Sequence, residues 1–214
     1  MFSEFFEVEV KEVEKISVDK DTYDFLFYSY FKDDTDPYIA CSDRAYLDLC
    51  RTLSLKSKNG SECRHCVNKI LKASIIKLLS DKEHDQLKYD VWHRKTCNSI
   101  SKPYANNNIV FNVGHAQKWI NMAMKYLYMQ RNISIECIFS YLHIPLDIII
   151  LNRAAKEFKL KSPFCCKWSK INNYDEYLDY QKKLRDLISI DPIRWEFQSW
   201  IDEVNKKYKK NKPT

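Results

Sequence analysis

The sequence predicts an all-α fold, a single helical bundle-like domain of about seven helices, preceded by a short strand or extended arm. Three observations carry this. Apolar residues recur at i, i+3 and i+4 through most of the 214 residues. Turn-forming stretches are few, and no segment repeats. The chain is 45% hydrophobic at 25.7 kDa, enough to build a core without disulfides.

The elements follow in order. Over residues 2–20, Phe6, Val8 and Val10 alternate with Glu7, Glu9 and Lys11 at strand period before Val10, Val13 and Ile16 continue at helical spacing, so an arm is expected there. The aromatic run from Thr22 to Lys32 fits either state, and the polar stretch Asp33–Pro37 ends it. Ser42 and Asp43 cap a helix over 44–55 with Ala45, Leu49 and Leu53 inward. After a turn at 56–60, a helix over 61–80 has Cys66, Ile70, Ala73, Ile76 and Leu78 or Leu79 as its apolar face. Another helix covers 82–100, and Pro103 with Asn106, Asn107 and Asn108 marks a loop.

Residues 110–129 carry Ala116, Trp119, Ile120, Ala123 and Leu127, widened by Met122, Tyr126 and Met129, and read as the central buried helix. Pro145 in a first turn with Asp147 behind it opens a helix to Phe158. Asn172 or Asn173 opens the next, with Tyr177, Gln181, Leu184 and Ile188 inward. Asp191–Pro192 opens the last, with Ile193, Phe197, Trp200, Ile201, Val204 and Tyr208 inward. The organisation expected is one domain: an arm and aromatic segment over 1–36, a helical core over 42–204 and a basic tail over 205–214.

Composition excludes more than it identifies. Only two glycines are present where average usage gives about fifteen. Phosphate-cradling P-loops, dinucleotide fingerprints and nucleophile elbows need glycines at fixed spacing, so no nucleotide-binding P-loop or Rossmann cofactor site is expected. The acidic start and the lack of a membrane-length apolar run predict a cytoplasmic protein without membrane attachment. Its eight cysteines are then thiols or metal ligands. The counts of 27 Lys to 8 Arg, 20 Ile, 14 Asn and 8 Ala fit an AT-rich bacterial or phage genome. That bias explains part of the glycine shortage and of the net charge of +6.

Five constellations carry candidate chemistry. Cys63 and Cys66 share a helix turn, and His93 and Cys97 share a face, the spacing of a two-helix Cys3His zinc site; two small buried thiols and a core histidine are the plainer alternative. Asp147 with Glu157 and Lys159 has the residue types of a cation-dependent nuclease, but on helical sequence. Ser134–Leu142 followed by Pro145 has helix-turn-helix spacing, with apolar residues where base contacts belong.

His115, Gln117, Lys118, Asn121 and Lys125 on the central helix offer a general base and amide donors for a ligand or catalytic site, unless this row is simply the solvent side. Lys206, Lys207, Lys209, Lys210 and Lys212 form a basic end suited to phosphate or an acidic partner. Trp168 and Trp195 lie off the apolar stripes and suit interface anchors or a cover for the bundle end. The first expectation is therefore a binding or interaction protein with a macromolecular partner, protein or nucleic acid. The alternative is a hydrolase or nuclease near His115, Gln117 and Asn121 or with a bound metal. Gly114, directly before His115, marks a close approach of backbone or ligand.

Overall fold

The computed structural model describes residues 19–32, 36–53, 59–130, 132–164 and 167–210, with side chains to Lys206. Most of the predicted arm, 2–18, lies outside the described residues. Among the described residues the fold is all-α: α1 (Lys20–Phe31), α2 (Pro37–Leu47), α3 (Gly60–Ser80), α4 (Gln86–Asn106), α5 (Val113–Leu127), α6 (Glu136–Phe139), α7 (Ile148–Glu157), α8 (Tyr174–Leu187) and α9 (Pro192–Lys210). Short 3-10 turns at Cys50–Thr52 and Trp168–Lys170 complete it.

Helix α5 is the axis, as its composition predicts: Gly114 to Leu127 are all buried, polar residues included. Helices α2 and α4 pack along it, α3 packs across both, and α7 pairs with α9. Trp119 fixes the α2–α5 contact. Its indole N–H donates to the Ser42 carbonyl and hydroxyl, and that hydroxyl donates 2.6 Å to Asn68 of α3. Ser42 and Asp43 therefore lie inside α2 rather than capping a helix. The cap is Asp36, with Pro37 at the first position, the same Asp-Pro start correctly read for α9.

Other boundaries and faces differ for local reasons. Helix α4 runs through Pro103 to Asn106, although the proline, lacking an N–H, cannot bond the residue 99 carbonyl. The Pro103 carbonyl is taken up by Asn107 and the Cys63 thiol. Helix α3 buries Cys63, Val67, Leu71, Ile75 and Leu78, while Cys66, Ala73 and Ile76 are exposed. Two adjacent apolar rows compete there, and ion pairs from Arg64 to Asp43 and from Lys72 to Asp36 fix the rotation against α2. Helix α7 starts at Ile148, with Asp147 as its cap accepting from Ile149 and Ile150. Helix α6 is a single turn and residues 142–147 belong to no helix, so no helix-turn-helix forms.

Glycine scarcity has a visible cost. Among the described residues, the three positive-φ positions are Lys32, Asn108 and Lys159, none of them glycine. Gly114 answers a different need: a Cβ there would lie 2.0 Å from the Trp168 carbonyl oxygen, and its N–H donates 2.8 Å to Ile171. The close approach expected at this residue is to backbone.

Candidate functional site

The polar residues of α5 go to three separate places. On one flank, Gln117 and Asn121 enter a dry network. Asn121 accepts 2.9 Å from His93 Nε2 and donates to Gln117, to the Ile144 carbonyl and to Tyr177 Oη. Tyr177 donates 3.0 Å to His143 Nδ1, and His143 Nε2 donates 2.9 Å to Asp90. Tyr174 donates 2.7 Å to His93 Nδ1.

Gln117 and Gln181 each pair reciprocally with backbone of the 142–147 connector, at Leu146 and Ile144 respectively. This is where the connector, lacking a helix of its own, satisfies its backbone groups. Every imidazole nitrogen is partnered within the network, a pattern that neutral histidines satisfy. Burial pushes both pKa values down, His93 well below the ordinary range. Gln117 and Asn121 are themselves only 0% and 1% exposed.

His115 serves the start of α5. Its Nδ1 accepts 3.0 Å from the Asn112 N–H, closing a capping box, so Nε2 carries the proton. Burial lowers its pKa to about 4, the Thr52 carbonyl opposing. Among the described residues, no group meets Nε2 in hydrogen-bond geometry, the Thr52 carbonyl acting on it from nearby.

The third place is open. Lys118 and Lys125 are two helical turns apart and hence on one face, opposite the solvent-side placement. They form the floor of a cleft of about 920 Å³. Their side chains are only 6% and 9% exposed, paired at 2.9 Å with Asp147 and at 2.6 Å with Glu196. Glu196 is 1% exposed, and burial raises its carboxyl above the ordinary value despite Lys125 beside it. At the α1 end, Tyr30 donates to Tyr126, and Tyr126 donates 2.6 Å to Asp48. Arg44 pairs with Asp48 and lies 4.3 Å over the Tyr30 ring. Arg51 and Trp168 line the other end.

The mouth inverts the expected pattern of α9. That helix buries Ile193, Trp195, Glu196 and Ser199, while Trp200 is 41% and Ile201 52% exposed. The stripe Phe197, Trp200 and Ile201, predicted inward, lines the cleft instead, joined by exposed Ile148 and Met129. Trp195 is buried, its indole donating to Glu157, so it is no surface anchor. Trp168 is half-buried at the cleft.

The remaining candidates are dispersed. Cys66 is exposed, Cys63 bonds the Pro103 carbonyl, and Cys97 lies 3.7 Å from a His93 nitrogen already engaged. Among the described residues, no three His, Cys, Asp or Glu side chains group to hold a metal ion. Asp147 and Glu157 stand at opposite ends of α7, about 15 Å apart along its axis, and Glu157 pairs with Arg153. Lys206 pairs with Glu203; the side chains of Lys207, Lys209 and Lys210, and all of Lys212, lie outside the described residues. No described helix is long and apolar enough to cross a membrane.

Glu196, Arg44, Asp48 and Arg51 were missed in the sequence. A usable signal existed for the floor: lysines at i and i+7 inside a helix otherwise fit for burial. Comparison with known proteins returned nothing: no family model, no curated protein and no solved structure matches this chain.

Proposed function

We propose that this chain is a binding protein whose working site is the cleft over α5, engaging part of a macromolecular partner. One observation carries the reading: a floor of buried, carboxylate-compensated lysines lies beneath a mouth of exposed apolar and aromatic side chains. Burying Glu196 and Lys125 is costly, and leaving Trp200 and Ile201 exposed forgoes burial. Both costs fall where α9 meets α5 and face one opening, which favours a ligand presenting a charged or polar group to the floor and a flat or apolar group to the rim.

The test is intrinsic tryptophan fluorescence with thermal shift across single-stranded oligonucleotides, mononucleotides and acidic peptides. A saturable response is expected, lost in Trp200→Ala and in the double variant Lys125→Met/Glu196→Gln. A response that those variants leave unchanged sinks the proposal.

The two carboxylates on the floor favour a second reading, a hydrolase, with Glu196 as proton acceptor in place of the His115, Gln117 and Asn121 set. Under it, turnover of a bound ligand would vanish in Glu196→Gln while binding persists.

A further inference from the structure

We infer that the occupant of the cleft is single-stranded nucleic acid, held mainly by base stacking and by one or two phosphates. The inference rests on the cleft being the working site. Charge complementarity sets the sign. The cleft is lined by four cations, Arg44, Arg51, Lys118 and Lys125, against three carboxylates, Asp48, Asp147 and Glu196.

Three of the cations are paired inside the cleft, while Arg51 is exposed and has no carboxylate partner among the described residues. An incoming group therefore meets one uncompensated guanidinium, whose planar fork suits a phosphate.

The aromatic side chains set the rest. Tyr30, Trp168, Phe197 and Trp200 stand around the same opening. Among the described residues, one unpaired cation stands beside the Trp168 and Trp200 rings, while Tyr30 and Phe197 each carry a cation over one face; this is the balance of a ligand held by stacking, and unpaired bases present flat faces while carrying one charge per unit. An acidic peptide would demand more free cations than Arg51 alone. A duplex, its bases already stacked, would leave the aromatic side chains unused, and the floor from Lys118 to Lys125 is only about 10 Å long.

The Trp168 end is also preformed. Its carbonyl occupies the space where residue 114 would carry a Cβ, and Asn112 donates 3.0 Å to the next carbonyl, Ser169.

Salt dependence of binding to a short oligothymidylate separates the cleft from the lysine-rich C-terminus. One or two phosphate contacts predict a log–log slope of about −0.7 to −1.4, whereas five lysines predict about −3.5. The full chain should show the shallow slope. Trp200→Ala should weaken binding about tenfold, and Arg51→Gln should weaken it and flatten the slope by about 0.7. Both positions are exposed, so the fold should persist.

A steep slope abolished by changing Lys206, Lys207, Lys209, Lys210 and Lys212 to Gln, with both cleft variants binding normally, overturns the inference. If oligonucleotides fail but an acidic peptide binds and is lost in Trp200→Ala, the ligand class is wrong and the cleft stands. If neither binds, the cleft reading fails as well.

Discussion

The two flanks of α5 bury polar groups on opposite terms. On the Asn121 flank, the imidazole, amide and phenol groups linking His93, Asn121, Tyr177 and His143 are partnered by protein, and nothing opens to solvent. On the Lys118 and Lys125 flank, charges are equally buried, yet they face a cleft ringed by unburied aromatic residues. Burial of polar groups thus has two meanings in one helix. Where partners complete every bond, it specifies a structure; where they leave an opening lined with apolar side chains, it prepares a surface.

That contrast predicts a hierarchy of stability losses, the largest on the dry flank. Asn121→Leu removes the acceptor for His93 and the donor to Tyr177, Gln117 and Ile144 together, leaving several buried groups unpaired. Each such group costs about 1–3 kcal/mol, so chemical denaturation should register a loss of about 3–5 kcal/mol. A loss under about 1 kcal/mol would mean that the network adjusts or admits water, and the contrast would collapse.

Gly114→Ala comes next. The new methyl cannot coexist with the Trp168 carbonyl, so the 167–171 segment must shift, at about 2–4 kcal/mol. Because Trp168 lines the cleft, ligand affinity should fall with it. Affinity unchanged at equal loss of stability would detach this segment from the site.

Acidification distinguishes the flanks by sign. His93, His115 and His143 have pKa values depressed in the fold, so their contribution is complete above pH 6.5 and is lost progressively as pH falls, for His115 toward about 4. Glu196 is raised in the fold, so its protonation favours the folded state and that contribution fades as pH rises through its folded value. Each fully depressed histidine loses about 2 kcal/mol between pH 6.5 and 5, so stability should drop by about 3–5 kcal/mol between pH 7 and 5, Glu196 opposing in part. His115→Gln should flatten this dependence and Glu196→Gln should steepen it; the reverse pattern would mean the cleft governs the acid response.

Helix identities were legible because period and caps are local: Asn173, one of the two asparagines offered, and Asp191–Pro192 start α8 and α9. The burial of α5 was legible because its apolar stripe is too wide to leave a polar face. Rotation was not. On α3 two apolar rows compete, and ion pairs from α2 decide between them. On α9 the more apolar row points into the cleft while Glu196 and Ser199 are buried, an inversion that periodicity reads backwards. Its cause is three-dimensional: Lys125 awaits Glu196 from another helix.

The smallest effect on stability should come from the charged pair itself. Replacing both members, Lys125→Met with Glu196→Gln, removes two desolvated charges at once and strands neither. Buried pairs exchanged this way are commonly neutral or stabilising, so the double variant should stay within about 1 kcal/mol of the parent or exceed it. It should nonetheless lose the ligand response, since only the Lys118–Asp147 pair would then charge the floor. A double variant that unfolds would place the pair with the dry network as a structural device. One that folds well and cannot bind would mean that the charges on this flank are kept for what enters the cleft.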